Sequence, residues 1–380
     1  MRKKAAGMLL VIGLCFVSAG VMAADNQDVS IYIVETQAKI KDCDYKKYKD
    51  AAEVLEADIA SLEEQLATAQ QNRKKAEEAG DSLQVMRMDL VISNCKKEME
   101  EKKETLTEYQ LQMDMDVYYI DNKDKLAEDQ KAKNQYNCYC SRLTIAKYNA
   151  QLTYLGAAQT ELEQKLKIEK NKLELGYTTA LEVNKIQSAL DRTLLMKKEA
   201  EEEINFQKDM LALYGEEEIL IDLPQKLEEL QDDFVDKFCS DSTQIKFYEQ
   251  HIIAYGNYID NSEESDEELE KIRLQLELAQ LNKQQYRVEL ERYVKQKEKS
   301  YRQAKLKTEE YDSEIAVIEQ TIKNSELLYE KGRLREIDVI GVKTEKARLE
   351  YERTCAICDA QQSRYILEHQ IENTDFSYGY

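Results

Sequence analysis

Gly176-Tyr-Thr-Thr-Ala-Leu-Glu-Val183 and Gly332-Arg-Leu-Arg-Glu-Ile-Asp-Val339 decide how this chain folds. Each stretch follows a long proline-free segment in which apolar and small residues step by three and four. Before Gly176 these are Ile145, Tyr148, Leu152, Leu155, Gln159, Leu162 and Leu166; before Gly332 they are Ala304, Thr308, Tyr311, Ile315, Ile318, Ile322, Ser325 and Tyr329. Steps of three and four line up one face of an α-helix, and a narrow seam sustained this long calls for partner helices along its length. The reading is two uninterrupted helices, over 110–175 and 266–331. At 1.5 Å per residue the second is about 99 Å long, so one chain must fold it back into hairpins. The glycine supplies a positive-φ end cap, Thr178 or Thr179 can cap the helix that follows, and shorter helices are predicted over 180–214 and 336–371.

The two glycines lie 156 positions apart. At that one offset Leu181 meets Ile337, Glu182 meets Asp338, Val183 meets Val339, Ser188 meets Thr344 and Leu211 meets Leu367. A tandem repeat of long helix, glycine turn and helix follows from this spacing. The expected organisation is a signal peptide over 1–23, a first helical repeat over 24–215, a linker over 216–240, a second repeat over 241–372 and a tail over 373–380. Helices are expected over 28–78 and 83–108, broken around Glu78–Asp81. In the linker, Ile219–Leu223 reads as a short strand, Pro224 marks a restart, 225–238 reads as a short helix, and Ser240–Ser242 opens another that runs to Tyr258.

Composition supports long helices. The chain has 380 residues, one proline and 11 glycines, too few breakers for the frequent turns of sandwiches, barrels or α/β folds. The fold class expected is all-α: long antiparallel helical hairpins in tandem, coiled-coil-like, with little or no β.

The N-terminus carries Arg2, Lys3 and Lys4, then no charge over 5–24, with Val21 and Ala23 placed for cleavage before Ala24. That is the layout of a secretory signal, with an uncleaved membrane anchor as the alternative. Leu14 before Cys15 is too large for a lipoprotein signal. Removal of 1–23 leaves 51 basic against 75 acidic residues, a net charge of −24. Nucleic acid and anionic membrane surfaces are poor partners for such a chain. The charges are interleaved, as in Lys226-Leu227-Glu228-Glu229, and read as solvated helix faces with intrahelical pairs; an acidic, cation-selective lumen is the sharper alternative.

Chemistry is sparse. There is no G-x-S-x-G, phosphate-binding glycine loop, H-E-x-x-H or EF-hand loop, and the only histidines are His251 and His369. Cys355 and Cys358 form a C-x-x-C, but in helical register with Tyr351, Gln362, Tyr365 and His369 they read as small apolar members of a seam. Seven cysteines remain after cleavage, an odd number for a disulfide framework. No catalytic, cofactor or metal site is expected, and the chain reads as a non-enzyme.

A glycine closing a long helix, then x5-(Asp/Glu)-Val, then an amphipathic helix ending in Leu211-Ala-Leu-Tyr-Gly215, all duplicated, resembles the TolC-like outer-membrane efflux proteins over most of 110–372. The resemblance implies a homotrimer whose helical hairpins form a hollow α-barrel. It also implies a membrane-fusion adaptor docked at the glycine turns, and an inner-membrane, ABC-type transporter supplying the driving force. Carried over residue by residue, the adaptor tips are Gly176, Tyr177 and Thr178, and Gly332, Arg333 and Leu334. The family usually has Leu after each glycine; here Tyr177 and Arg333 stand there. It also inserts a β-hairpin into each repeat to build a membrane barrel, whose strands need about 9–11 residues each. Only Ile259–Ser265 is free for this in the second repeat, and only Met113–Val117 alternates in the first, so the barrel is expected to be absent. The function implied is that of an exported component of an efflux or secretion assembly in the cell envelope, a passive helical duct or spacer. The alternative is a structural coiled-coil protein of the envelope without transport.

Overall fold

The computed structural model describes residues 29–216, 221–230, 233–262 and 266–372, with the side chains of 29, 30 and 266–268 set aside. The signal segment, Ile219, Leu220 and the tail lie outside these residues; the rest of the short strand expected over Ile219–Leu223, residues 221–223, is described and is not a strand. Eight helices are present among them: α1 (Val29–Glu78), α2 (Ser82–Asp121), α3 (Lys123–Glu174), α4 (Ala180–Leu213), α5 (Phe234–Asp241), α6 (Thr243–Asn261), α7 (Asp266–Glu330) and α8 (Glu336–Glu368). No strand occurs among the described residues. The fold is all-α, built of long antiparallel hairpins, as the residue pattern predicts.

Four hairpins account for the packing. α1 pairs with α2, α3 with α4, α6 with α7, and α7 with α8. α3 also packs along α8, so the lower half is a layer in the order α4, α3, α8, α7. α2 packs on α6, so the upper half runs α1, α2, α6, α7. α7 spans both halves as one unbroken helix of 65 residues.

Each interface is an apolar seam with polar rungs. Cys138, Ile145, Ile204 and Leu211 join α3 to α4, and Leu166, Val183 and Leu190 continue that seam toward Gly176. Between α3 and α8, Tyr139 stacks on Tyr365 with centroids 4.6 Å apart, and Tyr154 lies parallel to Tyr351. Lys147 pairs with Asp359 at 2.5 Å, and the Thr344 hydroxyl reaches the Ala157 carbonyl at 3.4 Å. Tyr301 and Ala304 of α7 meet Ile357 and Ala360 of α8.

Three sequence expectations are corrected. The helix expected over 110–175 is interrupted at Asn122, between α2 and α3. The Asn122 amide side chain and its backbone N–H both donate to the Tyr118 carbonyl, at 2.9 and 3.0 Å. A side chain competing for a carbonyl of its own helix breaks the regular ladder. The helix expected over 225–238 begins only at Phe234; 225–230 crosses the bundle without helix, with Leu227 in a cluster with Tyr301 and the Glu228 carbonyl accepting from the Tyr301 hydroxyl at 2.7 Å. His369 does not continue the α8 seam: it is the exposed C-cap of that helix, against Tyr365.

No helix among the described residues is long and apolar enough to cross a membrane.

Candidate functional site: the paired glycine turns and the free edges

Gly176 has φ +76° and Gly332 φ +67°, conformations that a Cβ disfavours. The helix ends are closed in the same way. Gly176 N–H donates to the Leu173 carbonyl at 3.0 Å and Tyr177 N–H to that of Lys172 at 2.8 Å. Gly332 N–H donates to Tyr329 and Arg333 N–H to Leu328, both at 2.8 Å. These are Schellman motifs, in which two otherwise orphaned carbonyls are satisfied by the two residues after the cap. Gly80, with φ +73°, closes α1 identically through Gly80 N–H to Glu77 and Asp81 N–H to Ala76.

The restarts differ. Thr179 caps α4, its hydroxyl accepting from Glu182 N–H at 3.4 Å. At the equivalent position Arg335 gives α8 no side-chain cap; its guanidinium grips Asp338 by two bonds of 2.7 and 3.0 Å instead. That pair, led by the hydrogen bond, holds the Asp338 carboxyl below the usual range. Thr178 hydrogen-bonds Glu169, whose pKa is lowered mainly by Lys172 and next, after the opposing effect of desolvation, by Thr178. The sequence reading offered Thr178 or Thr179 as the cap; Thr179 takes that role. The 156-residue offset itself aligns Thr179 with Arg335 and Glu182 with Asp338, a signal that was available before the fold.

The two turns lie side by side at one end of the molecule. Glu161, Glu169 and Lys172 of α3 and Arg335, Asp338 and Gly341 of α8 line one groove of about 580 Å³. A Cβ at Gly341 would meet the Glu161 carboxylate at 3.6 Å, ordinary van der Waals contact, so the groove floor there has room for a small side chain. Tyr177 is 81% exposed, flanked by exposed Leu175 and Leu181. Arg333 is exposed and Leu334 half-buried. All six residues expected at the tips therefore fall in one region, four of them exposed, Leu334 half-buried, and Thr178 turned toward Glu169.

What the sequence reading missed lies along the layer's edges. α7 exposes Leu274, Leu281, Val288, Leu306, Val317 and Leu328. Steps of 7, 18 and 11 residues keep all six within about 40° of one another on a helix of 100° per residue. On the opposite edge α4 exposes Leu181, Leu195, Phe206 and Leu213, also within about 40°. α1 exposes Ile33, Ile40 and Val54 in the upper half. The edges match in height. The cluster of Ile145, Ile204 and Leu211, the Cys358 thiol donating to the Leu143 carbonyl, and Tyr301 against Ile357 set one level across the layer, and Phe206 and Leu306 lie beside it. Lys197 with Gln159, Thr344 with Ala157 and Lys346 with Glu319 set a second, beside Leu195 and Val317.

No disulfide forms among the seven described cysteines. Cys358 is fully buried, and desolvation pushes its thiol up to about 12. His251 is held low by burial, and after that by Lys41. Among the described residues no group of His, Cys, Asp or Glu has metal-ligand geometry.

Solved structures similar to this chain include bacterial membrane proteins and outer-membrane channels. The outer membrane protein VceC of Vibrio cholerae is 12% identical, with a TM-score of 0.48 over 69% of this chain and 74% of that one. A membrane protein from Pseudomonas aeruginosa is 10% identical, with a TM-score of 0.47 over 71% and 73%. The CmeC outer membrane channel of Campylobacter jejuni is 11% identical, with a TM-score of 0.42 over 72% and 67%. At these identities and scores the likeness transfers no activity. No protein-family model and no curated protein matches the chain.

Proposed function

We propose that the chain is one stave of a closed helical duct or spacer, a TolC-like component of an efflux or secretion assembly in the cell envelope. Three copies join head to tail, α7 of one against α4 and α1 of the next. The observation that carries this reading is the pair of free edges: an apolar stripe on α7, and stripes on α4 and α1 whose lower-half members stand at matching heights. A joint between unlike edges is heterologous, and in this reading the rotation from copy to copy closes it into a ring rather than an open filament. The helical layer has no concave catalytic centre in this reading, and the duct is passive.

The glycine turns at one end serve as the docking tips for a membrane-fusion adaptor, which links the duct to an inner-membrane, ABC-type transporter. Tyr177, Leu175 and Leu181 supply apolar surface, and Arg333 a cation, to that partner. The tip chemistry, Tyr177 and Arg333 in place of two leucines, also favours a second reading, a structural envelope protein that keeps the hairpins but carries nothing.

The solution mass of residues 24–380 over a dilution series tests the ring. Three copies are expected; a single copy at every concentration refutes the assembly. Loss of the gene changing cell shape while leaving export intact selects the structural reading.

A further inference from the structure

Above the α6–α7 turn the layer loses half its helices. Asp114 of α2 still meets Gln250 and Asn257 of α6. Beyond the Asp58–Lys102 pair, at 2.7 Å, the α1–α2 hairpin continues for 22 residues on each side of Gly80. That prong is about 33 Å long. Its own seam is satisfied: Ile59, Leu62, Ala69 and Ala76 of α1 and Cys95 of α2 are buried in it.

The prong carries a second apolar face. Leu83 and Met86 are 70% exposed and Leu90 64%. Steps of three and four set them in one stripe beside the tip. Across the turn at the same height, the exposed residues of α1 over 70–77 are all Gln, Asn, Lys or Glu, which offer that stripe no apolar partner. The charge also changes there. Over residues 65–95 four basic groups (Arg73, Lys74, Lys75, Arg87) balance four acidic ones (Glu77, Glu78, Asp81, Asp89), in a chain of net −21. With no net charge of its own, the prong end can meet the same region of another copy without net repulsion.

We propose that the Leu83–Met86–Leu90 stripes of the three copies pack on one another, gathering the prongs across that end of the duct; this rests on the ring proposed above. Rotational symmetry sets identical stripes at one height, so the surface that matches the stripe in length, polarity and level is the same stripe of another copy. Twelve helices about 10 Å apart enclose a ring of radius about 19 Å, and a 33 Å prong spans that distance. The prongs then narrow the mouth opposite the glycine tips.

Met86→Cys in the full chain tests this, with the parent chain, which keeps its native cysteines, as the control. Under mild oxidation, or with a bifunctional maleimide, Met86→Cys is expected to yield chains linked in twos and threes. The linkage is expected about a hundred-fold faster in the assembled protein than in the same chain diluted below its association point. An assembly of three copies by mass in which Met86→Cys links no faster than the parent overturns the prong contact and leaves the ring standing. A protein that stays monomeric overturns the ring, and this proposal with it. An environment-sensitive fluorophore on the introduced thiol of the Met86→Cys variant that shifts to the blue only on adding phospholipid vesicles assigns the stripe to a membrane and refutes the contact between copies.

Discussion

Phe206→Ala is the most direct probe of the ring. Phe206 is 55% exposed in the single chain and Leu306, at the same level on the far edge, 65%. Burying a whole Phe side chain contributes up to about 3 kcal/mol, so its open half has about 1.5 kcal/mol left to contribute at an interface. Three interfaces close the ring, and three truncations weaken it by about 4.5 kcal/mol, a factor of about 2,000 in the association constant. Because three chains combine, the midpoint concentration rises by the square root of that factor, about 45-fold. The assay is sedimentation velocity across a dilution series of parent and variant. The half of Phe206 already covered in the single chain contributes to folding as well, so the monomer should lose about 1 kcal/mol, read separately from its thermal midpoint at concentrations where it does not assemble. Leu306→Ala should give a comparable shift, and the double variant less than the sum, because each removes the other's partner. An unchanged assembly midpoint in Phe206→Ala, or strict additivity with Leu306→Ala, refutes the edge pairing.

Gly176→Ala and Gly332→Ala meet no neighbour within 4 Å, so each should cost the conformational penalty alone, about 1–2 kcal/mol, read by chemical denaturation. Thr179→Ala should cost about 1 kcal/mol through loss of the α4 cap, whereas Arg335→Ala, which removes no cap bond, should cost less. Glu372 is a buried carboxyl that accepts from Tyr286 and Ser242 and faces Asp129 and Lys133; burial raises its pKa above the ordinary value. The folded state therefore holds its proton more tightly than the unfolded one, and stability falls as pH rises from the ordinary glutamate range through the raised value. Thermal melts should show that decline, and Glu372→Gln should abolish it. In thiol labelling followed by mass spectrometry, exposed Cys43 should react first and Cys358 last; equal rates would contradict the buried α3–α8 seam.

The ends of the long helices were legible because glycine at positive φ is a local matter: two hydrogen bonds and one torsion angle, all within six residues. The seam of α3 was legible for a similar reason, since Ile145, Leu155 and Leu166 announce one face by spacing alone. The break at Asn122 was not, because an asparagine amide bonding back to Tyr118 looks the same in sequence as one pointing to water. The edge of α7 stayed hidden for a different reason. Leu306, Val317 and Leu328 recur every eleven residues, and a search in steps of three and four passes over them as scattered surface leucines and valines. Only the layer shows that the far side of those residues has no neighbour. The tip residues could be named from the repeat, but their side-by-side placement needed the α3–α8 contact, which joins parts of the chain more than 180 residues apart.

α7 runs from the α6–α7 turn to the glycine tips without a break, 65 residues that the shorter helices of the layer must keep step with. It acts as a ruler. One residue added in its middle would turn everything beyond by about 100° and swing Leu306, Val317 and Leu328 off the edge. Insertions of about 7, 11 or 18 residues preserve the facing, and then only if α3, α4 and α8 lengthen in step. Length in such a protein is quantised: relatives of different reach should differ by whole blocks inserted at one level in every helix, never by single residues in one.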